Sequence, residues 1–186
     1  LDISVEIISG GGRVLVNTQP YMGLIFQDSA RTAVEIATAL TNSDLSKSDV
    51  IFSVVAKAAI VDGPSAGAAM AVLMYSALSN KPPNPKVKIT GTIEPDGSIG
   101  KVGGILQKLE ASVGVGANTF LIPKGQGIQR IWVQKEERRK IGGFEIVDIY
   151  YEPKTVNIFK YAEEKFGAQV IEVQNIRQVT ELMVSK

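Results

Sequence analysis

A strand–turn–helix stretch in the first half of the chain constrains the fold more than any other feature. Residues 49–55 are mostly β-branched or apolar and predict a buried strand. Residues 66–78 are rich in Ala, Leu and Met and predict a helix. Gly63 and Pro64 predict a tight turn between these two elements. Ser65 is therefore expected in the first turn of the helix.

Two roles fit Ser65 at this position. The start of a helix offers unpaired backbone N–H groups, and the helix dipole favours negative charge there. A serine that attacks a carbonyl would therefore have N–H groups nearby to hold the oxyanion that forms. Alternatively, the hydroxyl caps the helix, which is a common role of serine. The local pattern alone favours the cap over the nucleophile.

Two missing residue types limit the chemistry that the chain can perform. Its 186 residues include neither Cys nor His. The absence of Cys excludes a disulfide, a thiol nucleophile and a cysteine metal site. The absence of His excludes a Ser-His-Asp triad and removes the commonest transition-metal ligand. If Ser65 is a nucleophile, its general base must be a lysine or a carboxylate.

Lys108 differs from the other lysines in its sequence surroundings. A lysine acts as a base only when neutral, and its free pKa is about 10.4. Its pKa must therefore be lowered by an apolar or positively charged environment. Lys108 lies between Leu106 and Leu109 in a predicted helix, shortly after a diglycine that permits close backbone packing. Considered without relatives, this lysine fits an exposed helix position better than a catalytic one.

The rest of the chain predicts alternating strands and helices, which indicates an α/β or α+β fold with a mixed sheet. We expect a hairpin near the start, with Gly10-Gly11-Gly12 as its turn, and a helix from residue 28 to about residue 40 capped by Asp28 or Ser29. Further strands are expected at residues 86–93, 98–102, 118–122, 144–150 and 169–173, and helices at 105–113, 134–140 (a charged, solvated face), 156–166 and after Asn175.

Composition and termini narrow the possible partners. The net charge of +1 gives no indication of a nucleic acid or an anionic membrane as partner. No signal peptide is visible, and the longest apolar run is too short to span a bilayer. The compartment, cytoplasmic or membrane-tethered, stays open. Because the chain starts at Leu1 rather than Met, we expect it to be a fragment or a processed product.

Two motifs resemble those of the Lon-type serine peptidases, in their archaeal-like form. Asp62-Gly63-Pro64-Ser65-Ala66-Gly67 resembles the nucleophile motif of that family. Thr90-Gly91-Thr92-Ile93, followed by Val102-Gly103-Gly104-Ile105, resembles the second motif. Lys108 stands four residues after the second glycine, as the lysine does in the family, and lies 43 residues after Ser65. The resemblance covers most of the chain and is most specific between residues 51 and 124.

The resemblance implies a Ser-Lys dyad in a mixed-sheet fold flanked by helices. Ser65 would be the nucleophile, and Lys108 would take its proton and later deliver it to the leaving amine. Thr90 matches a threonine whose hydroxyl orients the lysine. Backbone N–H groups near Gly63 and Ser65 would form the oxyanion hole, and Asp62 matches an acidic residue that holds the turn or tunes the lysine.

The resemblance also implies partners, and the chain departs from the family in places. A Lon-like domain implies polypeptide substrates, hexameric rings, no cofactor of its own, and ATP only where a separate ATPase domain or chain supplies it. No Walker A pattern occurs here. We expect one domain over residues 1–186, with an insertion at about 125–167 that serves as an edge, an oligomer contact or a lid. The alternative function is a non-catalytic Lon-like module for assembly or binding, although the chain keeps both dyad residues.

Overall fold

A computed structural model describes residues 1–19, 21–56 and 59–184 of the chain. It is a mixed α/β structure, as the sequence predicts. The strands are β1 (Asp2–Ser9), β2 (Val14–Thr18), β3 (Tyr21–Met22), β4 (Ser48–Val55), β5 (Ile60–Val61), β6 (Val87–Ile89), β7 (Thr92–Ile93), β8 (Ile99–Gly100), β9 (Thr119–Pro123), β10 (Ile128–Ile141), β11 (Phe144–Asn157) and β12 (Gln169–Val173). The helices are α1 (Leu24–Thr41), α2 (Gly67–Ser79), α3 (Ile105–Gly114), α4 (Ile158–Phe166) and α5 (Ile176–Met183), with a 3-10 turn at Pro64–Ala66.

The first sheet has the order β1-β4-β2, so the predicted hairpin of β1 with β2 is wrong. Strand β4 lies between them, antiparallel to β1 and parallel to β2. The glycine run wraps around the buried Asp49 at the start of β4 instead of closing a tight turn. The Asp49 carboxylate accepts bonds from the N–H groups of Gly11 at 2.8 Å and Arg13 at 2.9 Å, and it pairs with the Arg13 guanidinium.

The second sheet has the order β12-β9-β6, with all strands parallel. Its central strand β9 separates two hydrophobic cores. Leu121 faces the main core between the first sheet and helices α1, α2 and α5, whereas Phe120 and Ile122 face a second core with α3 and α4. The ends of the expected strands at residues 86–93 and 98–102 form a hairpin, because β7 and β8 pair antiparallel across the turn at residues 94–98.

Helix α1 begins earlier than the sequence predicts. Its N-cap is Gly23, and no side chain caps it. The predicted caps have other roles: Asp28 forms an ion pair with Arg31, and the buried Ser29 donates to the Ile25 carbonyl at 3.0 Å. Apolar residues upstream of Asp28 extend the buried face, because Phe26 is fully enclosed in the main core, and this burial outweighs the local capping signal.

The charged stretch at residues 134–140 is a strand, so the helix predicted there is wrong. It belongs to β10, which pairs with β11 over 14 residue pairs. The two-residue connection Gly142-Gly143 explains the difference. Both glycines have positive φ, of 56° and 84°, as the tightest hairpin turns require. Cross-strand ion pairs, such as Arg139 with Asp148, then satisfy charges that the sequence alone assigned to a helix surface.

The remaining helices agree closely with the sequence. Helix α3 spans the predicted positions, α4 follows β11, and Asn175 caps α5 by accepting from the Gln178 N–H at 3.0 Å. In the described part of the chain, no helix combines the length and the apolar character needed to cross a membrane.

Candidate active site

Ser65 lies in the 3-10 turn between β5 and α2. Gly63 precedes this turn with φ 107°, a conformation that favours glycine. The N-cap of α2 is Ala66, and no side chain caps the helix, so the capping interpretation of Ser65 is wrong. The Ser65 side chain is half-buried, and its hydroxyl forms no hydrogen bond with any other described residue. The hydroxyl is thus available for chemistry.

Backbone bonds from the Thr90-Gly91 segment hold the Ser65 turn against the second sheet. The Ser65 carbonyl accepts from the Gly91 N–H at 3.1 Å and from the Thr90 hydroxyl at 3.3 Å. Thr90 is only 4% exposed, and its own N–H donates to the Leu121 carbonyl of β9 at 3.1 Å. The Ala68 N–H in turn donates to the Gly91 carbonyl at 3.1 Å. The Thr90 side chain therefore contacts the main chain of the nucleophile candidate directly.

Two glycines permit this close approach. A Cβ on Gly67 would lie 2.8 Å from the backbone nitrogen of Ile93, and a Cβ on Gly91 would lie 2.5 Å from the Ile99 side chain. Both distances are well below van der Waals contact, so a side chain at either position would displace the turn or the strand. The sequence showed these glycines as motif members but gave no sign of what they pack against.

Lys108 projects from α3, which starts after Gly104 in the left-handed conformation, with φ 68°. Ile105 and Leu109 of this helix are buried in the second core and fix its position. Lys108 itself is half-buried, and this burial lowers the pKa of its ammonium group. In the described chain its side chain has no ion pair, and no hydrogen bond joins it to Ser65. The structure leaves contact between the two side chains as a prediction.

Gln126 fixes the start of α3 and was missed by the sequence analysis. Its buried side-chain amide pairs with both backbone groups of Val102, accepting from the N–H at 2.9 Å and donating to the carbonyl at 2.7 Å. The Gln126 amide thereby supplies the two backbone hydrogen bonds that a neighbouring strand would otherwise make with the segment leading into α3. On the outer side of the helix, Glu110 accepts from the Tyr161 hydroxyl at 2.5 Å and from Lys165 at 3.0 Å. Both contacts hold the helix that carries Lys108.

Asp62 is exposed and lies beside the start of α1. Its carboxylate accepts from the Gly63 N–H at 2.7 Å, so this predicted oxyanion-hole donor is engaged in the present conformation. A Cβ on Gly23 would lie 2.0 Å from the Asp62 carboxyl carbon, which shows how closely the N-cap of α1 approaches Asp62. The helix dipole favours a negative charge there. The sequence did not single out Gly23.

The segments next to Asp62 carry exposed apolar side chains. Tyr21 and Ile60 are partners across the β3–β5 pair, and Leu24 begins α1 directly after Gly23. All three are exposed. Of these three residues, Tyr21 also lines an open cavity of about 450 Å³. The lining residues of this cavity are Val14, Leu15, Val16, Thr18, Gln19, Tyr21, Met22, Gln27 and Arg31. Neither Ser65 nor Lys108 lines this cavity. No group of three Asp or Glu side chains among the described residues is arranged to hold a metal ion.

The comparison with protein families identifies the class of this domain as a proteolytic one. Residues 1–142 match the family described as Lon protease (S16) C-terminal proteolytic domain. The match covers more than half of the chain. The chain therefore belongs to this family of serine peptidase domains, which confirms the resemblance and the fold class predicted from the sequence.

Individual relatives lead to the same family. Lon protease 1 of Bdellovibrio bacteriovorus is 38% identical over 120 residues, which are 62% of this chain and 15% of the relative. The Lon protease of Desulfatibacillum aliphaticivorans is 30% identical over 149 residues, or 76% of this chain and 18% of the relative. The Lon protease of Vibrio parahaemolyticus is 33% identical over 128 residues, or 66% and 16%. The aligned part of the chain thus spans less than a fifth of each relative's length.

Proposed function

We propose that this domain is a serine endopeptidase that hydrolyses peptide bonds in unfolded or damaged polypeptides through Ser65 and Lys108. The observation that carries the proposal is the Ser65 hydroxyl, which does not cap α2. Hydrogen bonds from Thr90 and Gly91 to the Ser65 carbonyl fix its turn at the start of this helix. The half-buried Lys108, with its lowered pKa, supports the role of general base. The exposed apolar side chains beside Asp62 suit an extended, unfolded segment as substrate.

In each half of the proposed reaction, Lys108 accepts one proton and then donates it. Neutral Lys108 takes the Ser65 proton while Oγ attacks the carbonyl carbon, which gives a tetrahedral oxyanion. N–H groups near Gly63 and Ser65 hold this oxyanion, and the Gly63 N–H must leave Asp62 to do so. Lys108 then protonates the leaving amine, and an acyl group remains on Ser65. In the second half of the reaction, Lys108 takes a proton from water as the water oxygen attacks the acyl carbon, and it returns that proton to Ser65 Oγ as the ester bond breaks.

Thr90 has two roles in the proposed mechanism. Its hydroxyl proton is directed to the Ser65 carbonyl, but its lone pairs remain free to accept from an ammonium group. Thr90 can therefore position the serine turn and orient Lys108 at the same time. Asp62 holds the turn through Gly63 and counters positive charge near the start of α1.

The relatives are named as Lon proteases. The resemblance to this family is the basis for a proposal about assembly. We propose that the chain acts on polypeptides as a homo-oligomer, with a hexameric ring as the expected form. Any ATP dependence would come from a separate ATPase domain or chain, since the sequence carries no Walker A pattern. Residues 1–186 are proposed to be one proteolytic domain with an insertion at about 125–167.

A peptidase assay tests the dyad. Ser65→Ala and Lys108→Ala are each expected to abolish cleavage of casein and of a fluorogenic peptide while leaving the thermal unfolding temperature close to that of the wild type. Ser53→Ala and Lys101→Ala serve as controls, because both side chains lie outside the serine turn and α3. Full activity in either dyad variant would refute the proposal. A stable, inactive wild type that still binds unfolded protein would favour the assembly or binding module instead.

A further inference from the structure

Strands β10 and β11, with their Gly142-Gly143 connection, form a long hairpin that we call the arm (residues 128–157). At about 3.3 Å per residue, its 14-residue strands extend about 46 Å. No other strand of the described chain pairs with the arm. Every residue from Gln134 to Val147 is exposed. A two-stranded hairpin surrounded by water is only marginally stable, so the arm requires a partner surface.

Both faces of the arm carry exposed apolar side chains. Strand pairing places paired residues on the same face. One face carries Trp132, which is 66% exposed, together with Ile149 and Tyr151. The other face ends in Ile141 and Phe144, of which Phe144 is 78% exposed. Large apolar side chains exposed on both faces of one hairpin are typical of a protein contact.

The outer edges of the arm have free backbone groups near its tip. In a hairpin with a two-residue turn, the pair next to the turn exchanges both backbone bonds, and this pair is Ile141 with Phe144. The alternate residues Glu145, Ile149 and Tyr151 therefore direct their N–H and carbonyl groups outward. Pro153 holds an outward position without an N–H, which limits edge pairing to the distal part of the arm.

The two edges carry opposite charge. Strand β10 has five basic and two acidic side chains, and β11 has three acidic and one basic. Contact between two β10 edges or two β11 edges would bring like charges together. Contact between β11 of one copy and β10 of another brings opposite charges together, which stabilises the pairing and selects its partner.

We propose that the arm is a contact between copies of this chain, in which the distal edge of β11 pairs antiparallel with β10 of the next copy. The contact joins two different edges, so it is heterologous and continues around a closed ring or along a chain of subunits. It gives the arm the additional strands that an isolated hairpin lacks. It does not depend on the peptidase activity proposed above.

Charge reversal of one edge at a time tests this contact. The β10 variant is Lys135→Glu with Lys140→Glu, and the β11 variant is Glu145→Lys with Glu152→Lys. Arg138 keeps its ion pair with Glu136 in both variants, whereas the β11 variant removes the 3.7 Å ion pair of Arg138 with Glu145. Each variant carries like charge on both edges, so association in analytical ultracentrifugation should weaken at least about tenfold, or 1.4 kcal/mol. An equimolar mixture of the two variants should associate again, because their arms then have opposite charge.

A control variant and three contrary results complete the test of the arm contact. Lys81→Glu with Lys101→Glu reverses two exposed charges outside the arm and should leave association unchanged. A wild-type chain that stays monomeric at high micromolar concentration overturns the proposal, as does a mixture that fails to associate. Binding of unfolded polypeptide to the arm of a monomer would also overturn it. The two proposals fail separately. Arm variants should lose association but still cleave a short peptide, whereas Ser65→Ala and Lys108→Ala should lose cleavage but still associate.

Discussion

Removal of the Thr90 hydroxyl should loosen the serine turn by an amount that the structure sets. Thr90→Val keeps the buried shape but loses the 3.3 Å bond to the Ser65 carbonyl. That carbonyl keeps its 3.1 Å bond from the Gly91 N–H, so no buried acceptor is left without a partner. The free energy of unfolding should therefore fall by the net contribution of one hydrogen bond, about 0.5–1 kcal/mol. For a chain of this size, that lowers the unfolding temperature by about 1–4 °C.

The effect on activity should exceed the effect on stability. In the proposed mechanism the same hydroxyl positions Ser65 and orients Lys108, so kcat should fall by a factor larger than the loss of one bond explains. Thr90→Ser is the matched control, since it loses a buried methyl group but keeps the hydroxyl, and it should be less stable yet active. Thermal unfolding and a fluorogenic peptide assay measure both quantities. A fully active Thr90→Val, or a Thr90→Ser as inactive as Thr90→Val, would refute this reasoning.

Three further predictions follow from contacts in the structure. Burial lowers the pKa of Lys108, so kcat/KM should rise with pH and level off above that pKa; a rate that stays constant into acid contradicts this. Gly91→Ala places a Cβ 2.5 Å from Ile99 and should cost about 1–3 kcal/mol by urea denaturation, whereas Gly103→Ala meets no atom within 4 Å and should not. Hydrogen bonds hold the pKa of Asp49 far below its usual range, so its stabilisation is present above about pH 4 and is lost as the pH falls; the difference in unfolding temperature between wild type and Asp49→Asn should shrink there.

Local signals in the sequence were sufficient where one segment determines its own structure. The strand, the turn and the helix around Ser65 follow directly from β-branched residues, Gly63-Pro64 and a run of good helix formers. Asn175 caps α5 because a short polar side chain at that position satisfies a free N–H of the helix. The Lys108 helix was also placed correctly, since its ends are marked by glycines.

Long-range pairing could not be predicted from local signals. The glycine run near the start is compatible with a hairpin. Only the buried Asp49 of a distant strand, which binds this run, explains why β1 and β2 do not pair. The charged residues 134–140 have good helix propensity, but the paired strand and the Gly142-Gly143 turn override it. Gln126 acts through a bond to Val102, 24 residues earlier, and an amide gives no sequence signal for such a contact.

The reaction of Ser65 with a fluorophosphonate tests the central claim most directly, because it needs a nucleophilic serine but no peptide substrate. Mass spectrometry of the wild type should locate the label on Ser65, with a labelling rate that rises with pH. Lys108→Ala should lower this rate by about 100-fold or more, the usual contribution of a general base. Labelling of another residue, or an unchanged rate at Ser65 without Lys108, would contradict the account.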